Sequence, residues 1–175
     1  MKKALKFAGL AALVLALVGF ILMMATHVIA FKADNSAGWY AGTAAIFGSG
    51  KASATVLGVT VVDDWSGNLA WSALLAWIFG LVAMIILCMG VVLPLLKVKA
   101  LDKFAGLLNL IAVGLLVVGG VFVFLSKGAL AAANDWDLGS DWHLGVGWIF
   151  AGILFILGGL VALAPAAVDF MGKKK

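Results

Sequence analysis

Two histidines, eight aspartates and one cysteine are the side chains of this 175-residue sequence best suited to acid–base, nucleophilic or metal chemistry. Their arrangement is uneven. Asp-Trp occurs three times, as Asp64-Trp65, Asp135-Trp136 and Asp141-Trp142, with Asp63 and Asp137 close by. Asp63, Asp64, Asp135, Asp137 and Asp141 offer the hard carboxylate oxygens that Ca²⁺ prefers. Their spacing does not follow the D-x-[DN]-x-[DN]-G pattern of a calcium loop. One reading is therefore a Ca²⁺ site built from separated segments. The plainer one is an aromatic belt in which tryptophan sits at headgroup level while aspartate stays in water. His27 and His143 could share a metal, but without a nearby cysteine or glutamate they make a thin ligand set. No nucleophile–base motif accompanies them, so the chain is expected to be no enzyme and to need no cofactor. Cys88 lies alone in an apolar run and reads as a small packing residue.

The elements that must position these residues follow from composition. Hydrophobic residues make up 65% of the chain and charged ones 11%, against about 25% charged in an ordinary soluble domain. Charge-free runs cover 7–31, 65–96, 104–126 and 142–168. Each is long enough for a membrane helix, which needs about 20 residues, and within lipid an open chain can satisfy its backbone only as helix. Trimmed for polar ends, the helices are expected at 7–30, 69–96, 103–126 and 143–167, leaving loops at 31–68 and 127–142. Pro94 and Pro165 read as punctuation at helix ends. The fold expected is an all-α transmembrane four-helix bundle carrying a small extracellular antiparallel β-sheet. In the first loop, 52–62 is rich in β-branched residues. Gly48-Ser49-Gly50-Lys51 reads as the turn before it and 42–47 as its partner strand, giving a β-hairpin.

Every basic residue is lysine and every acidic one aspartate. Lys2, Lys3, Lys6, Lys97, Lys99, Lys103, Lys173, Lys174 and Lys175 fall on one side of the four crossings, and Lys32, Lys51 and Lys127 on the other. By the positive-inside rule both termini are cytoplasmic and the two longer loops face outward. The net charge of +4 is segregated in this way, which is no footprint of nucleic-acid binding. The start, Met1-Lys2-Lys3 and an apolar run, also has the look of a signal peptide. Its apolar run exceeds the usual h-region of about 7–15 residues, so an uncleaved first helix is expected.

Within the bundle, Gly145, Gly152 and Gly159 recur every seven residues, as do Gly106 and Gly120 around Val113. Such stripes let membrane helices approach closely, within one bundle or between copies. Asn109 is expected to make an interhelical hydrogen bond. Ionisable groups at depth, which a proton relay needs, are missing from the four runs.

Four helices, cytoplasmic ends, a larger β-prone first loop and a shorter second one resemble the claudin-type tetraspan family. Gly38-Trp39-Tyr40 and Trp65 supply aromatics where that family's first loop carries its tryptophan signature, while the signature's two cysteines are absent. The resemblance implies action through contact with other proteins. The Met-Lys-Lys start, all-lysine usage and lack of paired cysteines suit a bacterial plasma membrane. The expected function is that of a non-enzymatic structural or interaction protein, in contact with the lipid bilayer. It would self-associate or bind another membrane or surface protein, with Trp39, Tyr40, Trp65, Trp136 and Trp142 as contact residues. The alternative is an oligomeric channel or transporter subunit with an acidic outer mouth.

Overall fold

The computed structural model describes residues 2–92 and 104–172. The chain runs α1 (Lys2–Ala25), β1 (His27–Ala33), β2 (Ser36–Ala41), α2 (Gly42–Phe47), β3 (Ser49–Val56), β4 (Val59–Ser66), α3 (Trp71–Leu87), α4 (Ala105–Ala133), β5 (Trp142–Leu144) and α5 (Val146–Gly172). A π-helical turn, Cys88–Val92, continues α3. Four helices are long and apolar enough to cross a membrane, over Phe7–Ala25, Trp71–Val91, Gly106–Ala133 and Val146–Ala167.

Small residues hold these helices together. Ala12, Ala16, Ala76, Ala83, Ala112, Ala151 and Ala162 are fully buried, whereas many of the large aliphatic side chains face outward. That is the pattern expected where close backbone approach, not water exclusion, drives association. Gly120 on α4 meets Gly152 on α5: a Cβ on the former would lie 2.9 Å from the Gly152 carbonyl oxygen. Gly159 lies likewise against the carbonyl of Val113, farther back along α4. On α1, Gly19 faces Ala151 and Phe155, and Gly158 of α5 faces Ala12. Neighbouring helices are therefore antiparallel. At the centre, the fully buried ring of Phe155 fills a socket of three glycines from three helices, Gly19, Gly80 and Gly119.

The sheet has strand order β4-β3-β2-β1-β5, with every pairing antiparallel. Connectivity puts it at the bundle end where α1 and α4 finish and α3 and α5 begin. Its inner residues Val28 and Ile29 join one continuous apolar core with Ile46 and Trp148. The β3–β4 hairpin turns at Leu57 and Gly58, whose φ angles of 50° and 82° are the positive pair that a two-residue type I′ turn requires.

Several boundaries differ from the sequence reading, each for a physical reason. Helix α1 stops at Ala25 rather than near residue 30, because His27–Ala33 pairs with strands on both sides. Residues 42–47 form a short helix, not a strand. Its C-cap is Gly48 at a φ of 72°, so the glycine signal there ends a helix. The stretch 52–62 is not one strand but parts of two, folded at Leu57-Gly58. Helix α4 continues past Lys127 to Ala133. Pro165 lies inside α5, which runs on to Gly172, so it does not end the helix. The sheet also recruits β5 from beyond the first loop. Pro94 lies outside the described residues.

Candidate interaction surface

Strand alternation sorts the sheet's side chains into two faces. Trp142, Phe31, Gly38, Ala54 and Val61 are successive partners across one row. On the same face, Tyr40 stands opposite Ile29 and Ala52, and Trp65 opposite Gly50. This face is mainly apolar and aromatic, with Asp63 on it opposite Ala52. His143, Ala30, Trp39, Ser53 and Val62 form a row on the other, with Lys51 opposite Asp64 nearby.

Four of the five expected contact aromatics converge on the apolar face. Tyr40 is the hub: its ring centroid lies 4.9 Å from that of Trp136, 5.5 Å from Trp65 and 5.9 Å from Trp142. Trp65 and Trp136 close the group edge-on at 5.7 Å, a favoured aromatic geometry. Phe31, which sequence reasoning missed, packs on Trp142 at 4.6 Å and lies over Gly38. Burial in this cluster raises the Tyr40 hydroxyl above its usual pKa of 10.0. The spacings leave the rings touching one another, so the cluster is a packed lid rather than an open cage.

Trp39 is the exception. It projects from the opposite face and stacks on His27 at 4.1 Å. A register shift between His27 and Ile29 brings His27 opposite Ala41, on the Trp39 side. Burial lowers the His27 pKa below the ordinary 6.5. Because the fold then binds fewer protons than the unfolded chain, this contribution is full above about pH 6.5 and shrinks as pH falls toward the folded-state value. The thermal midpoint should thus be lower at about pH 5 than at about pH 7.5, and a His27→Asn variant should lose part of that difference.

Two polar devices that sequence reasoning missed hold the lid in place. Asn134, just past α4, accepts a hydrogen bond from the Asn68 backbone N–H at 2.8 Å. It donates through Nδ2 to the carbonyls of Asn68 and Leu130, each at 2.9 Å. Asn68 Nδ2 in turn donates to the Ala133 carbonyl at 2.8 Å. This reciprocal clamp ties the start of α3 to the end of α4. It launches Asp135, at a φ of 54°, and then Trp136 toward Tyr40. The available signal was an asparagine at a helix C-terminus, whose side-chain amide can donate to a last-turn carbonyl, here that of Leu130. The second device is Lys127, whose ammonium donates to the Trp142 carbonyl and fastens β5 to α4.

The aspartates do not assemble. Asp63 and Asp64 are neighbours in β4 and point to opposite faces, and Asp64 pairs with Lys51 at 2.6 Å. Among the described residues no three His, Cys, Asp or Glu side chains come together in a way that could hold a metal. Among the described residues, then, Asp63, Asp64, Asp135, Asp137 and Asp141 are not brought together as a Ca²⁺ site would require.

The expected packing residues divide too. Gly120, Gly152 and Gly159 sit at helix contacts, and Gly106 is buried. Gly145 instead presses on the His27 carbonyl, joining α5 to β1 rather than helix to helix. Asn109 is buried beside Gly90 of the π-helical turn. Its Oδ1 has no hydrogen-bond partner among the described residues, so the expected interhelical bond is not made through that atom.

Beyond the aromatic lid the apolar face stays open. Val56, Val59 and Val61 on that face, Leu57 in the turn and Val62 on the other face are between 54% and 78% exposed. The chain matches no protein-family model and no curated protein.

Proposed function

We propose that this chain is a non-enzymatic, multi-pass protein of the cell membrane that works by binding a protein partner through its sheet. In this reading the nine lysines at the opposite end of the bundle hold both termini in the cytoplasm, and the sheet faces outward. A layout of four spans beneath an antiparallel sheet keeps the likeness to claudin-type tetraspan proteins within this proposal.

The observation that carries it is the exposed apolar hairpin. Val56, Val59 and Val61 lie exposed on one face of the marginal β3–β4 hairpin, with Leu57 at its turn and Val62 on the reverse. A helix side chain exposed in the same way meets lipid, but a sheet beyond the helix ends meets water. A contiguous exposed apolar patch there marks a contact surface. The aromatic lid and the two polar devices supply the rigidity that lets the hairpin present it.

Cross-linking in intact membranes tests this. The wild-type chain should form a discrete cross-linked species. A Val59→Ser, Val61→Ser double variant should lose about tenfold of it, equal to roughly 1.4 kcal/mol of association free energy. A wild-type chain that cross-links to nothing, or a variant that cross-links as well as wild type, would contradict the proposal.

A further inference from the structure

We infer that the free edge of β4 accepts a sixth strand. It would be an extended segment of another protein, basic at its leading end and apolar beyond it, running antiparallel to β4. This rests on the proposal that the sheet is the interaction surface, and it names the edge used and the chemistry of what binds there.

The two margins of the sheet are β4 and β5, and they are not equivalent. β5 is three residues long, and Lys127 already engages the Trp142 carbonyl there. β4 is eight residues long, and its distal half, Val59-Thr60-Val61-Val62, is β-branched and exposed. A long, flat, β-branched edge is a template for strand addition unless charge, proline or a bulge blunts it. Here the charges, Asp63 and Asp64, lie only on the half next to the bundle. The turn between β3 and β4 has two residues, Leu57 and Gly58, so Val56 and Val59 exchange hydrogen bonds across the hairpin. Alternation then turns the backbone groups of Val59, Val61 and Asp63 toward β3, and those of Thr60, Val62 and Asp64 outward.

Charge indicates the occupant. β3, the strand already paired to β4, sets Lys51 opposite Asp64, Ala52 opposite Asp63 and Val56 opposite Val59. An antiparallel strand on the outer side meets the same residues in the same order. Asp64 is satisfied by Lys51 at 2.6 Å, whereas among the described residues the Asp63 carboxylate accepts only the neighbouring Asp64 N–H. A cation on the added strand completes it. A second copy's β4 carries two aspartates and no lysine, so no register of self-pairing sets a β4 cation against Asp63. A basic partner strand fits this edge and a second β4 does not. Main-chain bonds then supply affinity, and the alternating side chains supply selectivity.

The test uses the full chain in lipid nanodiscs and, as probe, a synthetic peptide with the sequence of Ser49–Val56 in which the lysine and the alanine after it are exchanged, so that lysine falls opposite Asp63. Amide hydrogen exchange should slow at Thr60 and Val62 in a saturable way. A peptide with glutamate in place of its lysine should bind about tenfold more weakly. Val62→Pro removes an outward donor, and Val62→Lys leaves the backbone intact while repelling a basic strand. Both should abolish binding and leave the tryptophan spectrum unchanged. No slowing at millimolar peptide, or binding retained by both variants, would overturn the inference. If the cross-linked species of the wild type survives in both Val62 variants, the interaction reading stands and the edge assignment fails. If the wild type forms no such species, the broader reading fails.

Discussion

A Gly145→Val variant is expected to accumulate poorly and to lose cooperative unfolding, while a Gly128→Ala replacement in the same bundle does no harm. Gly145 is where three elements meet. Its N–H donates to the Val28 carbonyl at 2.8 Å, and its own carbonyl accepts the first helical hydrogen bonds of α5, from Trp148 at 2.9 Å and Ile149 at 3.0 Å. A side chain there would overlap the carbonyl oxygen of His27, a backbone atom that cannot turn aside. Either β1 leaves β5 or the first turn of α5 unwinds, and the buried Trp148 goes with it. A loss above about 4 kcal/mol, the range reached only by severe core and backbone clashes, is expected. Gly128 provides the contrast, since nothing lies within 4 Å of a Cβ built there and it is inside a helix. Gly128→Ala should be neutral or stabilising by up to about 1 kcal/mol. Tryptophan-detected thermal unfolding in a membrane mimetic distinguishes the two.

Removing the Asn134 side chain should release the aromatic lid without unfolding the bundle. Three hydrogen bonds end on that amide, and the Asn68 N–H and carbonyl lose their partner with it. At about 1 kcal/mol for each bond, Asn134→Ala should cost roughly 2–4 kcal/mol locally. Gly67 adds to the effect, because it fits between the Trp65 ring and Asn134 Oδ1. The expected signature is a loss of near-ultraviolet ellipticity and a red-shifted tryptophan emission, as Trp136 leaves Tyr40 and Trp65, with helical ellipticity retained. Asn134→Asp keeps the acceptor but loses both donated bonds, so it should fall between the two.

The four helices were legible because long charge-free runs have one backbone solution in lipid. Where they end was less so. Nothing in the polarity of 27–31 marks the passage from helix to strand, since the apolar residues of β1 suit either. What decides it is pairing to β2 and β5, residues distant in sequence. Lys127 read as the edge of a loop because a lysine usually needs water. Here its ammonium finds the carbonyl of Trp142 while its stem stays in the helix. The hairpin turn was hidden because Leu57 is an unusual residue at positive φ, whereas the more conventional glycine signal at 48–50 belongs to a helix cap. Tyr40, Trp65, Trp136 and Trp142 were identifiable as a group from their residue type. Separating Trp39 from Tyr40 required the strand itself, which places neighbours on opposite faces. The aspartates misled because proximity in sequence says little about convergence in space.

The central claim is a sheet outside the cell above four membrane spans whose ends remain within. Single cysteines introduced at Leu57 and at Lys175, each in a Cys88→Ser background, and treated on intact cells with a membrane-impermeant maleimide, test it most directly. Labelling at position 57 and none at 175 until the cells are opened is the predicted result. Labelling at 175 on intact cells, or protection of position 57, would contradict it.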